Sequence, residues 1–186
     1  MTLVIPVVAA GEYFSRPPSH RPMNKIVVPV DFSAAAATAL RFAAKLSRST
    51  GMGLTVVYVF NSLVTTNLRE TQDELAEDRR VLHEQLEAFT RRHVGKVSTH
   101  PPIEIRVAEG IPPVYLQWMS KEKDVAMIVM GGIGTGSGAR RDFFGGIAKA
   151  ISRDGGCPIV LIPQRFPEAK MDSTTNLLED LSALNA

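Results

Sequence analysis

The chain is predicted to fold as an α/β domain with an open, five-stranded parallel sheet and helices on both faces. Three observations lead there. Short apolar, β-branched runs without polar alternation recur along the sequence, as expected of strands covered on both sides. Helical stretches lie between them, so the order reads β-α-β-α-β-α-β-α-β, and such alternation indicates a parallel sheet between helical layers. Finally, half of the chain's 14 glycines crowd into Met130–Gly146, directly after one of these runs.

The first run, Ile26–Val30, ends in Asp31-Phe32-Ser33. Ser33 is a suitable N-cap for the alanine-rich helix Ala34–Thr50, whose Leu40, Ala43, Ala44 and Leu46 form a buried side. Gly51 and Gly53 are expected to stop it. Leu54–Phe60 is a second buried strand, which makes a β-α-β unit with a parallel pair and a right-handed crossover. A loop, Asn61–Leu68, leads to a long helix over about Glu70–His93 with Leu75, Leu82, Leu86 and Phe89 on one stripe. Its acids come early and its bases late, an order that complements the helix dipole. These charges read most simply as a solvated face.

Pro101 and Pro102 precede a third strand, Ile103–Val107, and Gly110 with Ile111-Pro112-Pro113 opens a helix through about Glu122. The fourth strand, Val125–Met130, runs into the glycine-rich loop. A helix to Arg153, a Gly155-Gly156 turn and a fifth strand, Pro158–Ile162, complete the series. Leu177, Leu181 and Leu184 then lie four and three residues apart, so Ser173–Thr175 would cap a short amphipathic helix that packs on the domain or binds a partner. The expected organisation is an extension or linker over 1–22, a domain over 23–164 and a tail over 165–186. Met23 stands directly before the first strand, so residues 1–22 are either a native extension or the product of an upstream start codon.

Composition narrows the function. At 186 residues, 45% hydrophobic and 22% charged, the chain suits one globular domain with a proper core. A net charge of +2 is too small to make nucleic acid a main partner. The lone Cys157 precludes an intrachain disulfide and fits a reducing, cytoplasmic compartment. No apolar run approaches the ~20 residues of a membrane span. Four scattered histidines, His20, His83, His93 and His100, give no metal-ligand spacing, and Cys157, in a turn before an apolar strand, reads as an inert small residue. The nucleophile-elbow and P-loop patterns are absent, and the glycines follow the fourth strand, not the first as in the dinucleotide fingerprint.

In parallel sheets, ligands bind beyond the carboxyl ends of the strands, at the point where strand order reverses. Asp31 and Gly131 both lie on that edge, and adjacent first and fourth strands would join them in one cleft. A strand, a glycine-rich loop and a helix start can cradle an anion, because backbone N–H groups and the helix N-terminus face it. The same glycines also suit a surface loop without a ligand. Asp31 is either a turn residue or an acceptor for a ligand amine or ribose.

Together these residues resemble the universal stress protein family. Lys25-Ile-Val-Val-Pro-Val-Asp-Phe-Ser33 resembles its first strand with the acid at its end. Asp124–Gly131 resembles its fourth strand, and Gly145–Ile151 with Cys157–Pro163 its last helix and strand. The resemblance covers about Met23–Pro163 and implies a Rossmann-like, adenine nucleotide alpha hydrolase-like fold. It also implies a dimer formed through the strand Pro158–Ile162 and a stress-response role. No residue is an evident general base beside the loop, so ATP hydrolysis would be slow at best and the chain is not expected to be an enzyme.

In its ATP-binding branch the family carries G-x2-G-x9-G-[ST]. Gly131 and Gly134 match the first half, but ten residues separate Gly134 from Gly145, and Gly146 stands where a hydroxyl residue is expected. By the resemblance, adenine lies near Pro29, Asp31 and Val59, with ribose and phosphates over Met130, Gly131, Gly134, Gly145 and Gly146. Thr135, Ser137 or Arg140 are candidates to replace the missing hydroxyl. A lost hydrogen bond to a charged group is worth ~1.5–3 kcal/mol, so the departure implies weak ATP binding, a shorter nucleotide such as ADP or AMP, or no binding. Mg2+ enters only with ATP. The alternative is a dimeric interaction module of the same family that binds no nucleotide.

Overall fold

The computed structural model describes residues 25–61, 72–95, 101–132 and 146–183, with side chains described for all of these except 72–75 and 177–183. The first β-branched run forms strand β1 (Lys25–Pro29), with Ile26, Val27 and Val28 wholly buried. Helix α1 (Ala34–Thr50) follows with the expected bounds, and the Ser33 side chain accepts from the Ala36 N–H at 3.1 Å as its N-cap. Gly51 ends α1 in the left-handed region, φ 71°, where glycine carries no Cβ penalty. Gly53 does not act as a helix stop. It is the first residue of β2 (Gly53–Phe60) and pairs with Lys25.

Helix α2 (Gln72–Val94), strand β3 (Ile103–Glu109) and helix α3 (Pro112–Met119) come next. Helix α3 is shorter than its sequence suggests: Ser120, Lys121 and Glu122 continue as turns, their N–H groups bonding back to Leu116, Trp118 and Met119. The chain then enters β4 (Val125–Gly131), α4 (Gly146–Asp154) and β5 (Ile159–Ile162). The last element, α5 (Glu168–Ala183), begins five residues before the expected cap at Ser173. Ser173, Thr174 and Thr175 lie inside it, their hydroxyls donating to carbonyls one turn back.

All strand pairs are parallel, in the order β3-β2-β1-β4-β5. Successive strands are added outward on one side of β1 and then on the other, so strand order reverses between β1 and β4. One layer packs α1, α2 and α5 on the sheet around Leu40, Phe42, Leu46, Leu86 and Met171. The opposite layer packs α3 and α4 around Leu116, Met119, Ile128 and Ile151. Each such fully buried side chain contributes about 1.5–3 kcal/mol relative to leaving it exposed.

The tail therefore packs on the domain. Met171 is 1% exposed, Phe166 meets Phe42 edge to face, and Lys45 of α1 pairs with Glu168 and Asp172 of α5. At the amino edge of the sheet, Lys25 contacts Glu122 at 2.9 Å and Asp124 at 3.0 Å. Burial draws the Lys25 ammonium down, but the two carboxylates outweigh it and hold it above its ordinary value. Among the described residues no helix is long and apolar enough to cross a membrane.

Candidate functional site

The carboxyl ends of β1 and β4 are joined by a cavity of about 420 Å³. From the end of β1 and the two residues after it come Pro29, Val30 and Asp31, and from β4 come Met130 and Gly131. Val57, Tyr58 and Val59 of β2 form one wall, and the first residues of α3 and α4 close the mouth. Six of the residues singled out from the sequence, Pro29, Asp31, Val59, Met130, Gly131 and Gly146, line this one space. Gly134 and Gly145 lie outside the described residues, as do Thr135, Ser137 and Arg140.

The geometry has local causes. Val30 N–H donates to the Val57 carbonyl at 2.9 Å, extending the sheet one residue past β1 and carrying Asp31 to its rim. There Asp31 Oδ1 accepts the Ser33 N–H at 3.1 Å, an Asx turn that leads into α1. A carboxylate has acceptor sites for several donors, so the turn role and a ligand role are compatible. Between them, Phe32 adopts φ 60°, a left-handed conformation that L side chains rarely take. Its ring lies 5.0 Å from Tyr58 and 5.4 Å from Phe89 and does not itself line the cavity. The strain is held at the mouth of a candidate site, where such strain tends to occur.

The two glycines at the cavity serve different ends. A Cβ on Gly131 would stand 2.8 Å from the backbone carbon of Ala35, so β4 approaches the start of α1 only because this residue has no side chain. Gly146 has nothing within 4 Å of a Cβ and opens α4, whose first N–H groups lack intrahelical partners. An anion beside that helix start would meet these donors and the positive end of the helix dipole.

Sequence reasoning missed Pro112, Pro113 and Leu116, which supply an apolar side of the cavity. The signal was present: the turn after β3 ends on the same sheet edge as the turns after β1 and β4. Ile147 and Ala148 were hidden behind Gly146 as ordinary helix residues. Cys157 is half-buried and does not line the cavity, and burial pushes its thiol up. Among the described residues no group of three or more His, Cys, Asp or Glu could hold a metal ion.

An open parallel sheet of order β3-β2-β1-β4-β5, with an apolar cavity and a helix start at its reversal point, makes this a domain of the doubly wound α/β class, in which ligands bind at that point. The sequence pattern of the Universal stress protein family matches residues 23–163, and the chain belongs to that family. Among solved structures, the universal stress protein UspA from Lactobacillus plantarum aligns with a TM-score of 0.55 at 22% identity, covering 75% of this chain and 97% of that one. A universal stress protein in complex with cAMP aligns at 0.53 and 15% identity, covering 76% and 98%. The universal stress protein from Archaeoglobus fulgidus in complex with dAMP aligns at 0.50 and 22% identity, covering 75% and 97%. No curated protein matches the sequence.

Proposed function

We propose that this chain is a cytoplasmic stress-response protein that binds an adenine nucleotide in the cavity between β1 and β4. The observation that carries this reading is the convergence of Asp31, Gly131 and the start of α4 on one largely apolar space at the sheet's reversal point. Its volume falls in the usual range for small-ligand pockets, about 300–1,000 Å³. The base lies against Pro29 and Val59, where Asp31 accepts from an amine or ribose hydroxyl. The phosphate lies toward Gly131 and Gly146, facing backbone N–H groups.

The absence of a hydroxyl at Gly146 favours nucleotides with few phosphates over ATP. Two family members were solved with cAMP and with dAMP, each an adenine nucleotide with a single phosphate, which supports the same preference. The reading is of binding and not of turnover: Asp31 is the one carboxylate lining the cavity among the described residues, and it is given to holding the ligand.

The protein acts as a dimer through β5, an edge strand with Ile159, Val160 and Leu161 half-buried. An uncovered apolar edge otherwise invites aggregation. A second reading, a dimeric interaction module without nucleotide, is favoured by Gly146 alone. Calorimetric dissociation constants for ATP, ADP and AMP separate the two. Micromolar binding of at least AMP, weakened tenfold or more by Asp31→Ala, is expected, whereas millimolar or absent binding of all three would leave the interaction module.

A further inference from the structure

The β1–α1 turn has a second cavity on its other side. Between α1, α2 and the segment after β5 lies an open cleft of about 660 Å³. Three arginines from three separate elements line it: Arg41 from α1, Arg92 from α2 and Arg165 from the segment following β5. His93 joins them, with Nδ1 3.5 Å from Arg41, while the Arg41 guanidinium also donates to Thr38 Oγ1 at 3.0 Å. Among the described residues no carboxylate lines the cleft.

The nearby acids are engaged elsewhere. On α2, Glu87 pairs with Arg91, and Glu77 and Glu84 pair with Arg80. On α5, Glu168 and Asp172 pair with Lys45. Arg41, Arg92 and Arg165 form no ion pair among the described residues, so no carboxylate neutralises the three that meet at this cleft. The apolar wall is Phe32 and Phe89, edge to face at 5.4 Å. Burial first, then the charges of Arg41 and Arg92, hold the His93 imidazole below its ordinary value.

We propose that this cleft is a second ligand site, for a small molecule bearing oxyanions, phosphate or carboxylate, held by Arg41, Arg92 and Arg165 with its apolar part on Phe32 and Phe89. The planar guanidinium fork matches both anions in bidentate fashion. Three cations from separate elements favour a ligand with more than one negative charge. The site does not depend on nucleotide binding between β1 and β4, although Ser33 borders both cavities.

Pyrophosphate and citrate serve as probes, with imidazole resonances followed by NMR across pH at ionic strength matched with sodium chloride. His83, exposed on the same helix and outside the cleft, is the internal control. Saturable movement of the His93 resonance and a rise in its pKa, with His83 unmoved, are expected from at least one probe. Which probe binds more tightly distinguishes a phosphate from a carboxylate ligand. Arg41→Gln should weaken binding about ten- to a hundred-fold through loss of charge-assisted hydrogen bonds. Arg165→Gln, in an exposed segment where folding is spared, should weaken it in the same direction. Equal movement of both histidines, the same change with chloride alone, no movement with either probe, or unchanged affinity in Arg165→Gln would overturn the proposal.

Discussion

A Cβ on Gly131 would lie 2.8 Å from both the backbone carbon and the Cβ of Ala35, so the end of β4 and the start of α1 touch through a bare glycine. Gly131 also lines the cavity between β1 and β4. Gly131→Ala must push the strand end and the helix apart, since the nearest obstacle is backbone. A loss of about 1–3 kcal/mol is expected, as for overpacking elsewhere. Gly146→Ser, in open space, should stay within about 0.5 kcal/mol of the parent. Urea unfolding midpoints of the two variants check both values. The same Gly146→Ser variant should bind ATP more tightly relative to AMP, because it restores a hydroxyl at the helix start.

Phe32 reverses the usual ranking of glycine and alanine. At φ 60° any residue with a Cβ is strained by roughly 1–2 kcal/mol, and glycine is not. Both Phe32→Ala and Phe32→Gly lose the ring contacts with Tyr58 and Phe89. Phe32→Gly should therefore be the more stable of the two by about 1 kcal/mol. Thermal or urea unfolding of the pair measures this directly, and an alanine variant as stable as the glycine one would contradict it.

The sign of the His93 effect fixes a pH dependence. Its folded pKa lies below the ordinary 6.5, so below that pH the unfolded chain binds the proton more readily. Stability should be full above about pH 6.5 and fall as the pH drops from there toward the folded pKa. Burial comes first among the causes, followed by Arg41 and Arg92. His93→Gln should flatten this part of the curve while leaving the carboxylate-driven loss at lower pH. Urea midpoints between pH 7 and pH 5 provide the comparison.

Much of this arrangement was legible in the sequence. Ile26–Val30, Leu54–Phe60 and Val125–Met130 are runs that only a doubly covered strand requires, and each is a strand within one residue. Ser33 announced α1, and its cap bond is present. Parallel topology puts the residue after every strand on one edge, which is why Asp31 and Gly131 could be paired from sequence alone. Other features carry no such local signature. The left-handed turn at Phe32 depends on aromatic partners from β2 and α2, which are distant in sequence. Arg92 read as one more base near a helix C-terminus, because only the packing of α2 on α1 brings it to Arg41. The start of α5 at Glu168 rests on Met171 reaching the core, a tertiary contact that outweighs the capping propensity of Ser173.

That contact can be tested by itself. Met171 is 1% exposed and packs with the core on the α1 side of the sheet. Met171→Ala should cost about 2–5 kcal/mol, as for other buried methionines cut to alanine. The unfolding transition should remain single, because α5 belongs to the same cooperative unit as α1. A separate early transition, or no loss of stability, would show that the helix does not hold to the domain.

Backbone amide NMR during a titration with AMP bears most directly on the adenine nucleotide site. The amides of Asp31, Val59, Gly131 and Gly146 should shift together along one saturation curve, distinct from any followed by the α2 amides beside Arg41 and Arg92, and unchanged in Arg165→Gln. Absence of shifts at these four positions, or shifts confined to the cleft around Arg41 and Arg92, would contradict nucleotide binding between β1 and β4.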